Sequence, residues 1–511
     1  MSSTTTIVPI PLICQTHLEE YLAANKNSIK DGTVLELVKL LAQSAPMQPI
    51  LAHLIAGLRT GNFIDSVVPM IRLFMAVTDC LIGFCMDFVA HHGKTWRKKL
   101  RRIARKAGYK IHDYRRHKLQ MPNGTHVDII SPWYVIAKRA GGRRKCGPKK
   151  PGSPRRGRHL ALEIFGFFND LCPTLAFKAL SLSVLCPSMA IASALLKEEG
   201  ICLSQNKIRN LFETFDDLGD LKRVSLSCKE GETLENRRVC IFIDGGRIRE
   251  RLPKKGPIPK GKKRHPFLTK WRAPLLFTIV VIDDDGKMVD EFPVLADGIL
   301  GSWGRAIALL KTYLEHLQAD KAKELIIIGD GDENIWANLP NLVKKIARDQ
   351  TPVIEILDYY HAVEYLHDLF KLIDDTPLNR KEVIVKEAKE LLFKGEIQKL
   401  YDLLILQARR GSKRELKKRL TSYFLGNAAR MCYEERKDTC PIGSGQIESA
   451  IRSVINLRIK SPSTFWMEIK AETMIFLRSK LLYGRWHILK KNWINSKVKP
   501  FEEIGRLDIA A

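Results

Sequence analysis

Two short, almost wholly apolar runs, each stopped by a carboxylate beside glycine, constrain this chain more than any other pattern. Val239-Cys240-Ile241-Phe242-Ile243 runs into Asp244-Gly245, and Leu325-Ile326-Ile327-Ile328 runs into Gly329-Asp330-Gly331. Runs this short, rich in β-branched residues and without a polar face, bounded by glycine, read as buried strands rather than helices. Strands are predicted at 238–243, 275–282, 288–294, 324–329 and 353–357, and helices at 303–318 (opened by Gly301-Ser302), 334–347 and 360–373. The first three strands follow one another with no helix between them; afterwards helices and strands alternate. That order predicts a mixed five-stranded sheet, an antiparallel trio extended by parallel strands, with helices on both faces.

Length and charge narrow the rest. A chain of 511 residues exceeds one compact core, so several structural units are expected. With 45% hydrophobic and 27% charged residues it is globular in composition. A formal net charge of +28 calls for a polyanionic partner, nucleic acid ahead of a membrane surface. The eleven cysteines form no C-x-x-C pair, which supports neither a zinc ribbon nor a disulfide framework and suits thiols in a reducing cytoplasm. Met1 to Gln15 lacks the basic start and apolar core of a signal peptide, so a cytoplasmic location is expected, nucleoid-associated in a prokaryote. The most apolar stretch, Val67 to Ala90, is interrupted by Pro69, Arg72, Asp79 and Asp87 and reads as a buried helix pair, not a membrane span.

Along the chain, residues 1–107 form a helical N-terminal region that ends in the basic run Lys94 to Lys106. Its Arg97, Lys98, Lys99, Arg101 and Arg102 are candidate phosphate contacts, against the blander reading of a solvated helix face. Residues 108–160 combine a turn at Pro122-Asn123-Gly124, between two hairpin-forming segments, with a Gly-, Pro- and Lys/Arg-rich linker carrying Arg143 and Arg144. Residues 161–236 read as helical again. Pro187 opens one helix, Gly200 ends it and Ser204 caps a second from Gln205, a spacing shared by helix-turn-helix units and by ordinary helical hairpins. Residues 237–373 carry the sheet, 374–440 a charged helical insertion, and 441–511 the C-terminal part of the core.

Aspartate before glycine is common in turns, so Asp244 or Asp330 alone is more readily structural than catalytic. Their joint position at the ends of the first and fourth strands is more specific. In a ribonuclease H-like sheet, which this order of elements resembles, those two strands are neighbours and the carboxylates converge. Asp332 and Glu333 compete for the second position, but only Asp330 directly follows its apolar run.

Several further segments, in this order, resemble the DDE-class insertion-sequence transposases of the mutator-like group, which includes the Kra-type and Lre-type elements. They are Phe242-Ile243-Asp244-Gly245-Gly246, Ile328-Gly329-Asp330-Gly331 followed by Ile335-Trp336, Leu357-Asp358-Tyr359-Tyr360-His361-Ala362, Gly443-Ser444-Gly445-Gln446-Ile447-Glu448-Ser449-Ala450, Arg458-Ile459-Lys460 and Gly484-Arg485-Trp486. The resemblance covers Arg237 to Asn492, and the N-terminal half only loosely. It implies an α/β ribonuclease H-like catalytic core with a helical insertion and a largely helical N-terminal DNA-binding region. It also implies a triad of Asp244, Asp330 and Glu448 holding two divalent cations, Mg²⁺ or Mn²⁺, for phosphoryl transfer on DNA. Asp358 and His361 match an Asp-x-x-His element and face either the metal pocket or a bound phosphate; the plainer reading is a helix-capping Asp and a surface His. Relatives carry cysteine pairs upstream, where the basic linker of this chain has only Cys146, so a zinc-binding N-terminal module is not expected.

Between the first two strands, Arg247 to Arg272 holds eleven Lys/Arg and one acid, Glu250. It is expected to form a long loop beside Asp244, with Lys254, Lys255, Lys262, Lys263 and Arg264 on the phosphate backbone. Arg458 and Lys460 are further candidate contacts. The expected activity is strand cleavage at element ends and transfer into target DNA, acting on double-stranded DNA as a homodimer or higher oligomer. The alternatives are a ribonuclease H-like nuclease or resolvase and a non-catalytic, transposase-derived DNA-binding protein.

Overall fold

The computed structural model describes residues 63–87, 94–106, 108–136, 157–261, 265–347, 351–373, 378–408, 411–462 and 464–506. Arg143, Arg144, Lys262, Lys263 and Arg264 lie outside them. The chain divides into two compact units, Met1–Leu211 with Trp493–Ala511, and Phe212–Asn492.

In the first unit α1 (Phe63–Asp87) is one continuous helix where the sequence suggested a helix pair. The two acids that interrupt its apolar run are its ties to the following hairpin. Buried Asp79 accepts hydrogen bonds from the Asn123 backbone N–H (2.9 Å) and side-chain amide (2.9 Å), and buried Asp87 accepts from Ile130 N–H (2.6 Å). Among the described residues no helix is long and apolar enough to cross a membrane. The basic helix α2 (Lys94–Lys106) buries Leu100, Ile103 and Ala104 at helical spacing and leaves Lys98, Arg101 and Arg102 exposed. An antiparallel hairpin, β1 (Tyr109–Gln120) and β2 (His126–Ile136), turns at Pro122-Asn123-Gly124, and the two-residue β3 (Gly157–Arg158) pairs with β2. Four helices follow: α3 (Leu160–Ile164), α4 (Pro173–Leu185), α5 (Met189–Glu198) and α6 (Gln205–Glu213), the last crossing into the second unit. Ser188 Oγ caps α5 by accepting Ile191 N–H (3.2 Å), and Ser204 Oγ caps α6 by accepting Lys207 N–H (3.3 Å). Between them Gly200 takes φ +84°, the left-handed turn that ends α5. Leu175, Ala179, Leu196, Ile201 and Ile208 form the core beneath.

The second unit opens with α7 (Asp220–Ser227) and is organised by a five-stranded mixed sheet. Its strands are β4 (Arg238–Gly245), β7 (Leu275–Ile282), β8 (Leu295–Ile299), β9 (Glu324–Gly329) and β10 (Val353–Leu357), in the spatial order β10-β9-β4-β7-β8. β4, β7 and β8 are antiparallel, while β9 and β10 run parallel to β4, an arrangement compatible with a ribonuclease H-like core. In this unit the structure departs from the sequence reading at the third strand and at the segment after Asp244. The third strand lies at Leu295–Ile299, not 288–294. Arg247 to Arg272 is not a loop: β5 (Ile248–Pro253) and β6 (Phe267–Arg272) form an antiparallel hairpin.

Val239, Ile241, Ile243, Phe277, Leu325 and Ile327 pack on one face of the sheet against α8 (Trp303–His316) and α9 (Glu333–Ala347). Alternation sends Cys240, Phe242, Ile326 and Ile328 to the opposite face. After β10 come α10 (Tyr359–Leu369) and the helical segment α11 (Leu378–Phe393), α12 (Ile397–Leu406) and α13 (Lys413–Arg419), which continues as a π-turn through Leu420–Phe424. The short helices α14 (Tyr433–Arg436) and α15 (Gly445–Ala450), then α16 (Glu468–Leu482), return the chain to the sheet. α15 packs on β4 and β7 and α16 on β8. The final helix, α17 (Trp486–Arg506), belongs to this unit up to Asn492.

Candidate active site

Strand alternation aims the carboxylates. Asp244 continues the face of Cys240 and Phe242, and Asp330 that of Ile326 and Ile328, away from α8 and α9. In the parallel ladder Phe242 is in register with Ile328, so two residues on Asp244 and Asp330 stand abreast at the carboxyl ends of neighbouring strands. The segment 451–456, a π-turn continuing α15, buries Val454 and Ile455, and α15 itself buries Ile447 and Ala450, leaving Glu448 exposed. Burial raises the pKa of Asp244 to about 6, the Gly245 N–H opposes this, and the charges of Asp330 and Glu448 add to the rise. The sequence-predicted triad therefore shares one electrostatic neighbourhood.

Asp358 follows β10 and is fully buried. It caps α10 by accepting His361 N–H (3.0 Å), and it accepts the Ser444 backbone N–H (2.6 Å) and hydroxyl. Burial alone would raise its pKa, yet these donors with the His361 ring hold it at about 2. Ser444 Oγ also lies 3.1 Å from Glu448 Oε1, so the capping aspartate anchors the loop that carries the last acid. His361 Nδ1 sits 3.2 Å from Asp358 Oδ2 and 3.7 Å from Glu448 Oε1. The ring nitrogen has no well-angled hydrogen bond, so these are charge contacts. The Asp358 carboxylate, with Glu448 and Asp330 beyond it, raises His361 to about 9 against the effect of burial. Ligand atoms of Asp358, His361 and Glu448 lie within 4.8 Å of one another, close enough to hold a metal ion. Asp358 is thus the helix-capping residue of the plainer sequence reading, held next to Ser444, and His361 lies beside Glu448.

The insertion contributes residues that the sequence did not mark. Gly331, beside Asp330, has no room for a side chain: a Cβ there would collide with the Tyr423 ring at Cε2. Tyr423 in turn stacks on Tyr365 of α10, with ring centres 4.0 Å apart. Trp336 Nε1–H donates to the Asp330 carbonyl (2.7 Å), and the Arg430 guanidinium lies 4.2 Å over that indole while Nε bonds Glu355 (2.8 Å). An aromatic in a charged helical segment carries no local signal for such a contact.

Of the candidate DNA contacts, Lys98, Arg101, Arg102, Lys254, Lys255 and Lys460 are exposed and Arg97 is half-buried. Arg458 is 5% exposed with its guanidinium 5.3 Å from the Trp466 ring, so its charge is not presented at the surface.

No family model matches the chain, and no curated protein matches it in sequence. Among solved structures it is similar to the Drosophila P element transposase strand transfer complex, with 12% identity and a TM-score of 0.25, covering 66% of this chain and 81% of that chain.

Proposed function

We propose that this chain is a DDE-class DNA transposase of the mutator-like group, built on a ribonuclease H-like core, whose reacting centre is formed by Asp244, Asp330 and Glu448. The observation that carries the reading is the convergence of two strand-end carboxylates on the sheet face that α15 covers, where Glu448 joins them. The donor set fits divalent Mg²⁺ or Mn²⁺: all three are hard oxygen ligands, and Asp244 is held near pKa 6 by burial, with the charges of Asp330 and Glu448 adding to the rise. Two such ions would activate the attacking oxygen and neutralise charge on the phosphodiester during cleavage and strand transfer.

The chain's own groups divide the remaining work. Asp358 already accepts three hydrogen bonds and is better suited to positioning Ser444 and His361 than to ligating. His361, whose pKa the Asp358 and Glu448 carboxylates raise, stands beside Glu448 and can supply a donor there. The exposed cations of α2 and of the β5–β6 hairpin suit the phosphate backbone, which positions DNA without reading its sequence. Pairing two element ends calls for at least a dimer on DNA. The test is incubation of the purified protein with linear DNA carrying the element ends and Mg²⁺. Cleavage that disappears in Asp330→Asn and Glu448→Gln, with DNA binding retained, is expected; cleavage retained in either removes that residue from the centre.

A further inference from the structure

Beyond the carboxylates, the β5–β6 hairpin presents a surface that phosphate contacts alone do not explain. The β4–β7 ladder ends at the pair Gly245–Leu275, and the hairpin ladder resumes at Ile248–Arg272, so the hairpin prolongs the central strands past the carboxyl end where Asp244 stands. Arg249 is five residue steps along the chain from Asp244, a reach of at most about 17 Å. Cross-strand pairing puts Arg249 opposite Trp271, Arg251 opposite Thr269 and Pro253 opposite Phe267, and alternation assigns these pairs to one face. A third segment joins them: Arg251 N–H donates to the Trp466 carbonyl (2.7 Å) and Trp466 N–H to the Arg249 carbonyl (3.0 Å), with Phe465 beside Phe267, ring centres 5.3 Å apart. Arg249 lies 4.9 Å from the Phe465 ring and 5.9 Å from Trp271, and Arg251 lies 4.5 Å from Phe267. Trp271 is nevertheless 59% exposed, Phe465 37% and Phe267 36%, so each ring keeps an open side. The hairpin's one acid, Glu250, is buried and paired with Arg272 at 3.1 Å.

We propose that this Arg–aromatic face (Arg249, Arg251, Phe267, Trp271 and Phe465) binds unpaired DNA bases, stacking them on the rings while the guanidinium groups meet the intervening phosphates. The proposal rests on the DNA-processing reading above and adds the form of DNA that the site holds. Charge selects the occupant: the arginines of this face, on a hairpin whose one acid is buried, suit a polyanion, whereas a second copy of the same face would set arginine against arginine. The exposed rings select unpaired bases, because in a duplex the base faces are already stacked on each other.

The test uses the full chain with two labelled oligonucleotides, a fully paired end and the same end carrying a short unpaired tail. Trp271→Ala and Phe465→Ala should each weaken binding of the tailed substrate about tenfold and leave the paired one within about twofold, with Trp271→Phe retaining most of the tail affinity. Equal losses on both substrates, or none on either, overturn the proposal. So does a self-associating wild type whose dimer, but not its tail binding, is lost in Trp271→Ala. Cleavage is followed in parallel. A wild type that binds the tail through Trp271 yet does not cut supports the stacking face and sinks the enzymatic reading. One that cuts while Trp271→Ala binds the tail normally does the reverse.

Discussion

At the scale of single residues, the site sets a buried carboxylate, Asp244, beside the further negative charges of Asp330 and Glu448. The pKa of Asp244 is about 6 against an ordinary 3.8, so between those values the folded state binds more protons than the unfolded one. Stability therefore falls as pH rises through that window, and the full penalty is present at pH 7.5. Allowing for partial solvent screening, it is about 1–2 kcal/mol. In metal-free buffer at pH 7.5, Asp244→Asn should melt higher than wild type, and added Mg²⁺ should raise the wild-type melting temperature but not the variant's. A lower metal-free melting temperature for Asp244→Asn would mean that the carboxylate is satisfied without a cation. Asp358 carries the opposite sign. Its pKa near 2 lies below the ordinary value, so its contribution is present above pH 3.8 and is lost as pH falls toward 2. Asp358→Asn leaves Ser444 and His361 without their acceptor charge and should cost about 2–3 kcal/mol at pH 7 in denaturant titration. An unchanged midpoint would detach Asp358 from the loop that carries Glu448.

At the scale of elements, the three central strands β4, β7 and β9 were legible because each holds an unbroken apolar run buried on both faces, and the edge strand β10, half-buried and carrying Glu355, was legible from its β-branched residues. The strand Leu295–Ile299 was not, because Asp297-Gly298 interrupts its apolar pattern. That aspartate is fully buried: burial would raise its pKa, but Arg223 and Lys480 lower it, and Tyr313 donates a hydrogen bond of 2.8 Å. Only the fold reveals those partners, which lie on α7, α16 and α8. Arg223→Met, leaving Asp297 buried without its bidentate partner, should therefore destabilise the second unit by about 3–5 kcal/mol. A loss below about 1 kcal/mol in thermal unfolding would show that Lys480 suffices. The hairpin β5–β6 was hidden for another reason: β6 is exposed along most of its length and β5 buries only Ile248 and Glu250, with cations and prolines toward the tip, and such a composition reads as a loop. The insertion was legible as helix but not as part of the site, since Tyr423 meets Gly331 across a long separation in sequence. Gly331→Ala should cost about 1–3 kcal/mol through that clash, and Tyr423→Leu in the same chain should restore much of the loss. Additive losses in the double variant would place Tyr423 elsewhere.

At the scale of the whole molecule, the charge of +28 favours a polyanionic partner and, on the proposed DNA-processing function, leaves open which surface would read its sequence. The two units carry different chemistry. In the first, α6 exposes Asn206, Arg209 and Asn210, residue types that hydrogen-bond base edges in a major groove. In the second, the exposed Lys254 and Lys255 are point charges suited to phosphates. The expected division is that α6 supplies preference for particular ends while the sheet unit holds any duplex. Replacing Asn206, Arg209 and Asn210 by alanine in the full chain should bring the affinity for end sequences toward that for random DNA. Lys254→Gln with Lys255→Gln should weaken both equally and flatten the salt dependence of binding, by a slope of about 0.9 for each phosphate no longer neutralised. Competition binding across a salt series separates the two. If the α6 variant keeps its preference while the lysine variant loses it, sequence reading moves to the hairpin beside Asp244, and α6 becomes an ordinary helix of the first unit.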